Sequence, residues 1–256
     1  MMGFLMRGRN ESAVYFEQRL DLSRTLPWLA AWNERNGRRA TPFHLVLHAL
    51  AGMLHDRERV NRFTVGRKTY QRTQVLLSFA AKQAMSEDAP LRTVKKQFAR
   101  GETFAEVVDR TGGEVSTARA DTPTAMDKEL GIVLKVPGVV LALGLRLLSW
   151  LYAWGLAPRS LIDTDPMYAS AFVANLGSIK LDAAYHHLYE HGNCPLFVTI
   201  GQIAEVPVVV DGAVVVRPQL TLRYTYDERV EDGLYCAKAL QLIKQRIENP
   251  AEDIVG

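Results

Sequence analysis

Val14, Phe16, Gln18 and Leu20 fall on one side of an alternating run, "SAVYFEQRL", and Ala13, Tyr15, Glu17 and Arg19 fall on the other. Period-two alternation predicts a β-strand with one face against a core. The pattern then becomes helical. Leu26, Leu29, Ala30 and Trp32 share one side of a segment that tolerates Pro27 in its first turn and stops at Asn36-Gly37. "TPFHLVLHALAGMLHD" predicts a second helix, capped by Thr41 with Pro42 at its first position, burying Phe43, Val46, Leu47, Leu50 and Leu54. "TQVLLSFAAK" predicts a strand. "APLRTVKKQFARGETFAEVVDRTGGEV" predicts a strand or short link, then an amphipathic helix ending at Gly112-Gly113. "YASAFVANLGSI" returns to strand and turns at Gly177. In "CPLFVTIGQIAEVPVVVDGAVVVRPQLTLRYTY" two β-rich runs meet at Asp211-Gly212, a type I′ hairpin signal, and a third strand is expected from Leu220 to Tyr226. The last helix, about 233–248, carries the stripe Leu234, Ala237, Leu240, Ile243 and Ile247 before "ENP" stops it. With no linker or repeat between these segments, a single mixed α/β domain over 1–256 is expected.

One stretch breaks the amphipathic patterning. Residues 136–156, "VPGVVLALGLRLLSWLYAWGL", are almost wholly apolar and about as long as a membrane span. Arg146 in the middle would cost about 2.5–3.5 kcal/mol in a bilayer, and Pro137, Gly138 and Gly144 weaken the first half as a helix. A buried helix, an oligomer contact or a peripheral lipid contact fits better than a span. Two helices broken near Pro158 are expected within an apolar segment at 129–165. The remaining composition excludes some classes. The chain is 48% hydrophobic with a net charge of +3, and its arginines are scattered, so it predicts an ample core and no nucleic-acid footprint. Two cysteines, Cys194 and Cys236, make neither a disulfide framework nor a metal knuckle. The opening "MMGFLMRGRN" is too short an apolar run for a signal sequence. The expected location is therefore cytoplasmic, with membrane association through 136–156 as the alternative.

Candidate chemistry concentrates near the C-terminus. Asp227, Glu228, Glu231 and Asp232 crowd six residues of "YTYDERVEDG". Asp232 is well placed to cap the last helix, and acids before a helix N-terminus complement its dipole. His44 and His48 stand four apart on a helix, but no neighbouring carboxylate or cysteine completes a metal set, so with His55 they read as a polar helix face and no metal is expected. "YHHLYEHGNCP" brings His186, His187 and His191 near Cys194. Proximity in sequence is weak support for a cysteine–histidine nucleophile pair, and the simpler reading is an ordered loop covering a sheet edge. No Walker or Rossmann glycine loop and no G-x-S-x-G elbow is present.

An ordered set of these segments resembles the catalytic domain of the dihydrolipoamide acyltransferases of 2-oxo-acid dehydrogenase complexes. "FVANLGS" (172–178) is similar to the family's strand ending in a Ser-Asn-Leu-Gly type turn. "VTIGQIAEVPVVVDGAVVVRPQLTLRYTYD" (198–227) is similar to its glycine-led strand, hairpin and long strand. "DERVEDG" (227–233) occupies the place of the D-H-R-x-x-D-G active-site motif. Upstream, 41–63 and 102–119 are similar to two of its helices. The resemblance implies a chloramphenicol acetyltransferase-like fold, a two-layer α/β (α+β) sandwich of a mixed β-sheet with helices, here with the apolar helical insertion at 129–165. It also implies a homotrimer, a higher-order assembly, an active site between subunits, and a channel for coenzyme A or acyl-CoA.

The departures from the family pattern bear on activity. The motif histidine, the general base toward the thiol, is Glu228 here. A free glutamate and a free thiol differ by about four pKa units, roughly 5–6 kcal/mol of unfavourable proton transfer. Ala174 stands before Asn175 where the family has a hydroxyl that holds the oxyanion, and one lost donor of that kind typically costs about 10²–10³ in rate. Ser178 lies beyond the glycine as a substitute. Neither a lipoyl nor a peripheral subunit-binding domain is legible, so no bound lipoyl group is expected. The sequence thus points to a catalytically degenerate acyltransferase-like core serving as a homotrimeric assembly module. In the alternative, a standalone coenzyme A-dependent acyltransferase, Glu228 is the base and Asp232 and Arg229 order the loop. Asn175 and Ser178 are then the turn residues, and His186 and His187 are secondary candidates. A third alternative is lipid binding through 129–165.

Overall fold

The alternating run near the start of the chain is strand β1 (Ala13–Asp21), with Leu20 buried and Tyr15, Glu17 and Arg19 exposed as the pattern requires. It follows a one-turn helix α1 (Met2–Leu5). The computed structural model describes residues 2–82, 91–119, 136–154 and 156–254. Helix α2 (Thr25–Asn36) ends where Gly37 takes a left-handed φ of 60°. Helix α3 (Pro42–Asp56) begins with a capping box in which the Thr41 amide donates to Nδ1 of His44 at 3.0 Å. A hairpin not legible in the sequence, β2 (Arg62–Val65) with β3 (Lys68–Gln71), turns at Gly66. Then come β4 (Val75–Lys82), β5 (Leu91–Phe98) and α4 (Phe104–Arg119). Helix α4 continues through Gly112-Gly113, where a stop is expected from sequence, since two glycines weaken a helix without forbidding it.

The apolar segment forms α5 (Gly138–Ala153) and α6 (Arg159–Thr164), split at Pro158 as the sequence suggests; its residues 129–135 and 155 lie outside the described residues. The buried-helix expectation fails. No residue of α5 or α6 is buried, and Val139 and Trp154 are 73% and 69% exposed. Among the described residues no helix is long and apolar enough to cross a membrane.

Strand β6 (Ala171–Asn175) is followed by a 3-10 turn at Leu176–Ile179. Strands β7 (Leu196–Val210) and β8 (Ala213–Asp227) join at Asp211 and Gly212, whose φ values of 51° and 81° match the type I′ turn. The expected third strand is not separate: β8 is continuous from Ala213 to Asp227. Pro218 falls beside the end of β1, whose last partner in the ladder is Gln219, so that neighbour has no ladder to break there. Helices α7 (Gly233–Glu248) and α8 (Pro250–Asp253) complete the chain. The buried stripe of α7 is Cys236, Ala239, Leu240, Ile243 and Ile247; Leu234 and Ala237, placed inside by the sequence pattern, are exposed, Leu234 to 70%, since the face toward the sheet runs through Cys236 and Ala239 instead. The capped first turn faces solvent, and the helix meets the sheet only from its second turn.

Six strands form one sheet in the order β1-β8-β7-β6-β4-β5, parallel only across β4-β6-β7. Helices α3 and α7 lie on one face, and their apolar stripes meet Leu77, Phe79, Val198, Leu222 and Tyr224 in the main core. This is the two-layer arrangement expected. On the other face a smaller cluster, Phe172, Phe197, Leu188 and Cys194, is covered by the irregular chain at 181–195. The histidine-rich segment therefore covers a sheet face, not a sheet edge. The α3 histidines are not a solvated face either. His44 is buried, and His48 packs on Phe104 with Nδ1 3.9 Å from Asp253.

Two glycines lock the turn after β6. A Cβ on Gly177 would sit 2.3 Å from the Gly201 carbonyl oxygen. Gly177→Ala is expected to lower unfolding free energy by about 1–3 kcal/mol in urea titrations. Gly112→Ala, inside α4 with nothing within 4 Å of its Cβ, should be neutral or raise it by up to about 1 kcal/mol.

Candidate active site

The last residue of β8 starts the site. Asp227 lies opposite Ala13 of β1, and its amide donates to the Pro195 carbonyl at 2.9 Å. Its side chain is 1% exposed. A buried carboxylate is tolerated only when its acceptor sites are filled. Here Arg229 supplies a two-pronged contact, Nε to Oδ1 at 2.8 Å and Nη2 to Oδ2 at 2.7 Å, and Ser12 Oγ donates to Oδ1 at 2.9 Å. Burial works against the charge on Arg229, but the bonds to Asp227 and its charge outweigh it, and the guanidinium pKa lies above its ordinary value. Chain reversal follows from this pair. The Glu228 amide donates to the Ser12 carbonyl, the Val230 amide returns to the Asp227 carbonyl, and Val230 is buried.

Glu231, 8% exposed, is the second buried acid of the turn. Arg59 meets it with Nε and Nη2, each at 2.5 Å, and Arg62 adds a contact at 3.2 Å. Sequence reasoning left Arg59 and Arg62 out of the site, because they come from the turn after α3 and from β2, some 170 positions away. Asp232 caps α7 as expected, accepting from the Tyr235 amide at 2.9 Å. That bond is the largest cause holding its carboxyl below the usual range. Glu228 is different. It is half-buried between these anchors, and its carboxylate makes no hydrogen bond or ion pair with any described residue. Three acids of the cluster are thus held in structural contacts, and the fourth is left available at the position where the resemblance expects a histidine. Cys236 lies beside this loop, its thiol pushed up to about 12 by burial and by Glu231 and Asp232.

The other predicted residues lie elsewhere. Asn175 pairs with Ile200 of β7, whereas Asp227 sits beside Pro195 across β7. Five residues of strand and two strand spacings separate the levels, about 15 Å along the sheet and about 10 Å across it. One chain therefore does not bring Asn175 and Ser178 to Glu228. The Ser178 hydroxyl donates to the Asn175 carbonyl at 2.7 Å, so its proton is engaged within its own turn. His186 stacks on Phe197 at 3.9 Å, and its Nδ1 contacts the His187 carbonyl; His187 Nδ1 likewise contacts the Leu188 carbonyl. Burial lowers the His186 pKa. His191 pairs with Asp165 at 2.6 Å, and Cys194 is buried with its Sγ donating to the Leu196 carbonyl. The segment contains no cysteine–histidine pair. No group of three metal-ligating side chains occurs among the described residues.

Comparison with known proteins places this geometry. Residues 164–255 match the family model of the 2-oxoacid dehydrogenases acyltransferase (catalytic domain). A probable dihydrolipoyllysine-residue succinyltransferase component of the 2-oxoglutarate dehydrogenase complex, mitochondrial, from Schizosaccharomyces pombe is 44% identical over 62 residues, 23% of this chain and 14% of that protein's length. The cubic core of the pyruvate dehydrogenase multienzyme complex superposes with a TM-score of 0.66 at 16% identity, covering 95% of this chain and 84% of that one. Chloramphenicol acetyltransferase superposes with a TM-score of 0.55 at 10% identity, covering 96% and 92%. The C-terminal part of the chain thus resembles the acyltransferase catalytic domain in sequence, and the whole shares its chloramphenicol acetyltransferase-like fold.

Removing one member of a buried pair leaves the other charge uncompensated. Asp227→Asn is expected to cost about 3–5 kcal/mol by chemical denaturation. Arg229→Lys keeps the charge but loses the planar fork, and should still destabilise measurably. A stability unchanged in both would refute the anchoring role of the pair.

Proposed function

We propose that this chain is a dihydrolipoamide acyltransferase-like core whose thiol chemistry has been lost, and that it works as a homotrimeric assembly module in the cytoplasm. One observation carries the reading. The turn that holds the motif is fully built, by Asp227–Arg229 and by Glu231 with Arg59 and Arg62, yet it presents a carboxylate at Glu228. A carboxylate is a poor base toward a thiol, and the β6 turn supplies alanine where an oxyanion donor is expected. The separation of Asn175 from Glu228 within one chain supports an arrangement in which a second copy would complete the cleft. The test pairs light scattering with an acyl-transfer assay using acetyl-CoA and dihydrolipoamide. The expected outcome is a trimer or a multiple of it with no turnover above background. Turnover that disappears in Glu228→Gln would instead establish the alternative, a coenzyme A-dependent acyltransferase using Glu228 as general base.

A second reading concerns α5, because its exposed apolar surface is large and carries Trp150 and Trp154 at 56% and 69% exposure. Tryptophan at the end of an apolar helix suits the headgroup level of a bilayer. If α5 serves a lipid surface, the protein pellets with anionic liposomes, and Trp150→Ser with Trp154→Ser abolishes this. Failure to pellet, with a positive control pelleting, excludes it.

A further inference from the structure

A cavity of about 280 Å³ lies behind the turn, between the second half of α5 and the chain preceding β1. Arg229 lines it and Glu228 does not, so it is separate from the cleft considered above. Its other walls include Arg7, Arg9, Ser149, Tyr152, Tyr168 and one acid, Glu190. The only polar side chains of α5 are Arg146, Ser149 and Tyr152, spaced three apart and therefore on one helical face. Two of these three line the cavity. The polar positions of an otherwise apolar insertion are thus directed to one place.

The guanidiniums that line this cavity are not all held in ion pairs. Arg9 is 7% exposed, and its guanidinium donates only to main-chain carbonyls, those of Tyr189, His191 and Gly192. Arg72 is not in the lining of this cavity; stacked over Phe63 at 4.6 Å, it donates to the Ala169 carbonyl and to Asn193, and its Nε has no partner. Burial lowers the pKa of both groups. The Arg7 guanidinium is exposed and makes no hydrogen bond to a described residue. Of the nearby carboxylates, Asp227 is taken by Arg229. Glu190 accepts from the amides of Arg9 and Asn10, and exposed Glu11 from those of Arg7 and Gly8. Three guanidiniums, Arg7, Arg9 and Arg229, therefore line the cavity beside one carboxylate, Glu190, and of the three Arg229 has a side-chain ion pair, to Asp227.

Donors are also in surplus. Tyr168 is 3% exposed, its ring set edge-on to Tyr152 and His191, and its hydroxyl makes no hydrogen bond to any described residue. The Tyr152 hydroxyl accepts from Asn193 and keeps its own proton to donate. A hydroxyl on a cavity wall with no protein acceptor can donate to a bound group, and Arg9 is a buried cation held by carbonyls with no side-chain ion pair. We propose that the cavity binds a small oxyanion, the phosphate or carboxylate group of a small molecule, held by the Tyr152 and Tyr168 hydroxyls and the field of Arg7, Arg9 and Arg229. A bound oxyanion supplies an acceptor to the two hydroxyls and a partner of opposite charge to Arg7 and Arg9 together. The volume suits a phosphate or a short carboxylic acid.

Calorimetric titration of the full chain with inorganic phosphate, and separately with acetate, tests this in chloride buffer. Saturable binding of at least one is expected, phosphate alone indicating a phosphate ligand and acetate alone a carboxylic acid. Arg7→Gln removes an exposed charge and Tyr168→Phe a single hydroxyl, so neither should impair folding. At least one is expected to weaken binding roughly threefold to tenfold. No saturable heat from either ion up to about 20 mM, or binding indifferent to both variants, overturns the proposal. Neither titration involves Glu228 or acyl transfer, so failure of the acyltransferase-like reading would leave this result standing.

Discussion

The buried pair between Asp227 and Arg229 is the contact on which the C-terminal architecture depends. It closes on itself within three residues, so the strand must end and reverse there. Ser12 ties the same carboxylate to the residue before β1, and the Glu228 amide returns to the Ser12 carbonyl. The edge strand β1, its neighbour β8 and the start of α7 are thus fixed by one desolvated charge pair. Such a pair adds little net stability over an apolar equivalent, but it cannot be satisfied in another register. What it secures is the position of a short turn.

That turn has its acids sorted by environment. Asp227 and Glu231 are buried and paired with arginine. Asp232 is exposed and spent on the helix amides. Glu228 alone is uncommitted. The frame of the turn is therefore complete around one carboxylate that no described residue engages. The second locked element, the turn at Gly177 pressed against Gly201, lies well away along the sheet. Two rigid turns thus stand at different levels of one sheet, the separation on which the proposed shared cleft rests.

The apolar segment at α5 contributes more to the surface than to the core. Helix α5 exposes leucine, valine and tryptophan around most of its circumference, and only its Ser149 and Tyr152 side face the molecule's polar interior at the arginine-lined cavity. A stripe of outward apolar residues over an inward polar cavity is the reverse of ordinary amphipathic packing. The helix is held to the body by hydrogen bonds such as Asn193 to Tyr152 and by the edge-on ring of Tyr168, with little apolar burial.

The sequence by itself determined β1, β4, β6 and β7, helices α2, α3 and α7, the Asp211-Gly212 hairpin and the Asp232 cap, because each follows from local periodicity or from a side chain meeting a backbone within a few residues. The ordered motifs also carried the family resemblance and the fold. Several features belonged to the tertiary structure alone. The β2–β3 hairpin is short and polar, so its pattern carries no period. The continuity of β8 through Pro218 depended on where the neighbouring strand ends. The true stripe of α7 depended on where that helix meets the sheet. Which acid of "YTYDERVEDG" stays available was decided by Ser12, Arg59 and Arg62, residues some 170 to 215 positions from their partners. Local sequence specifies what a segment tends to form; which charges are paired, and which are left over, is fixed only when distant segments share one buried volume.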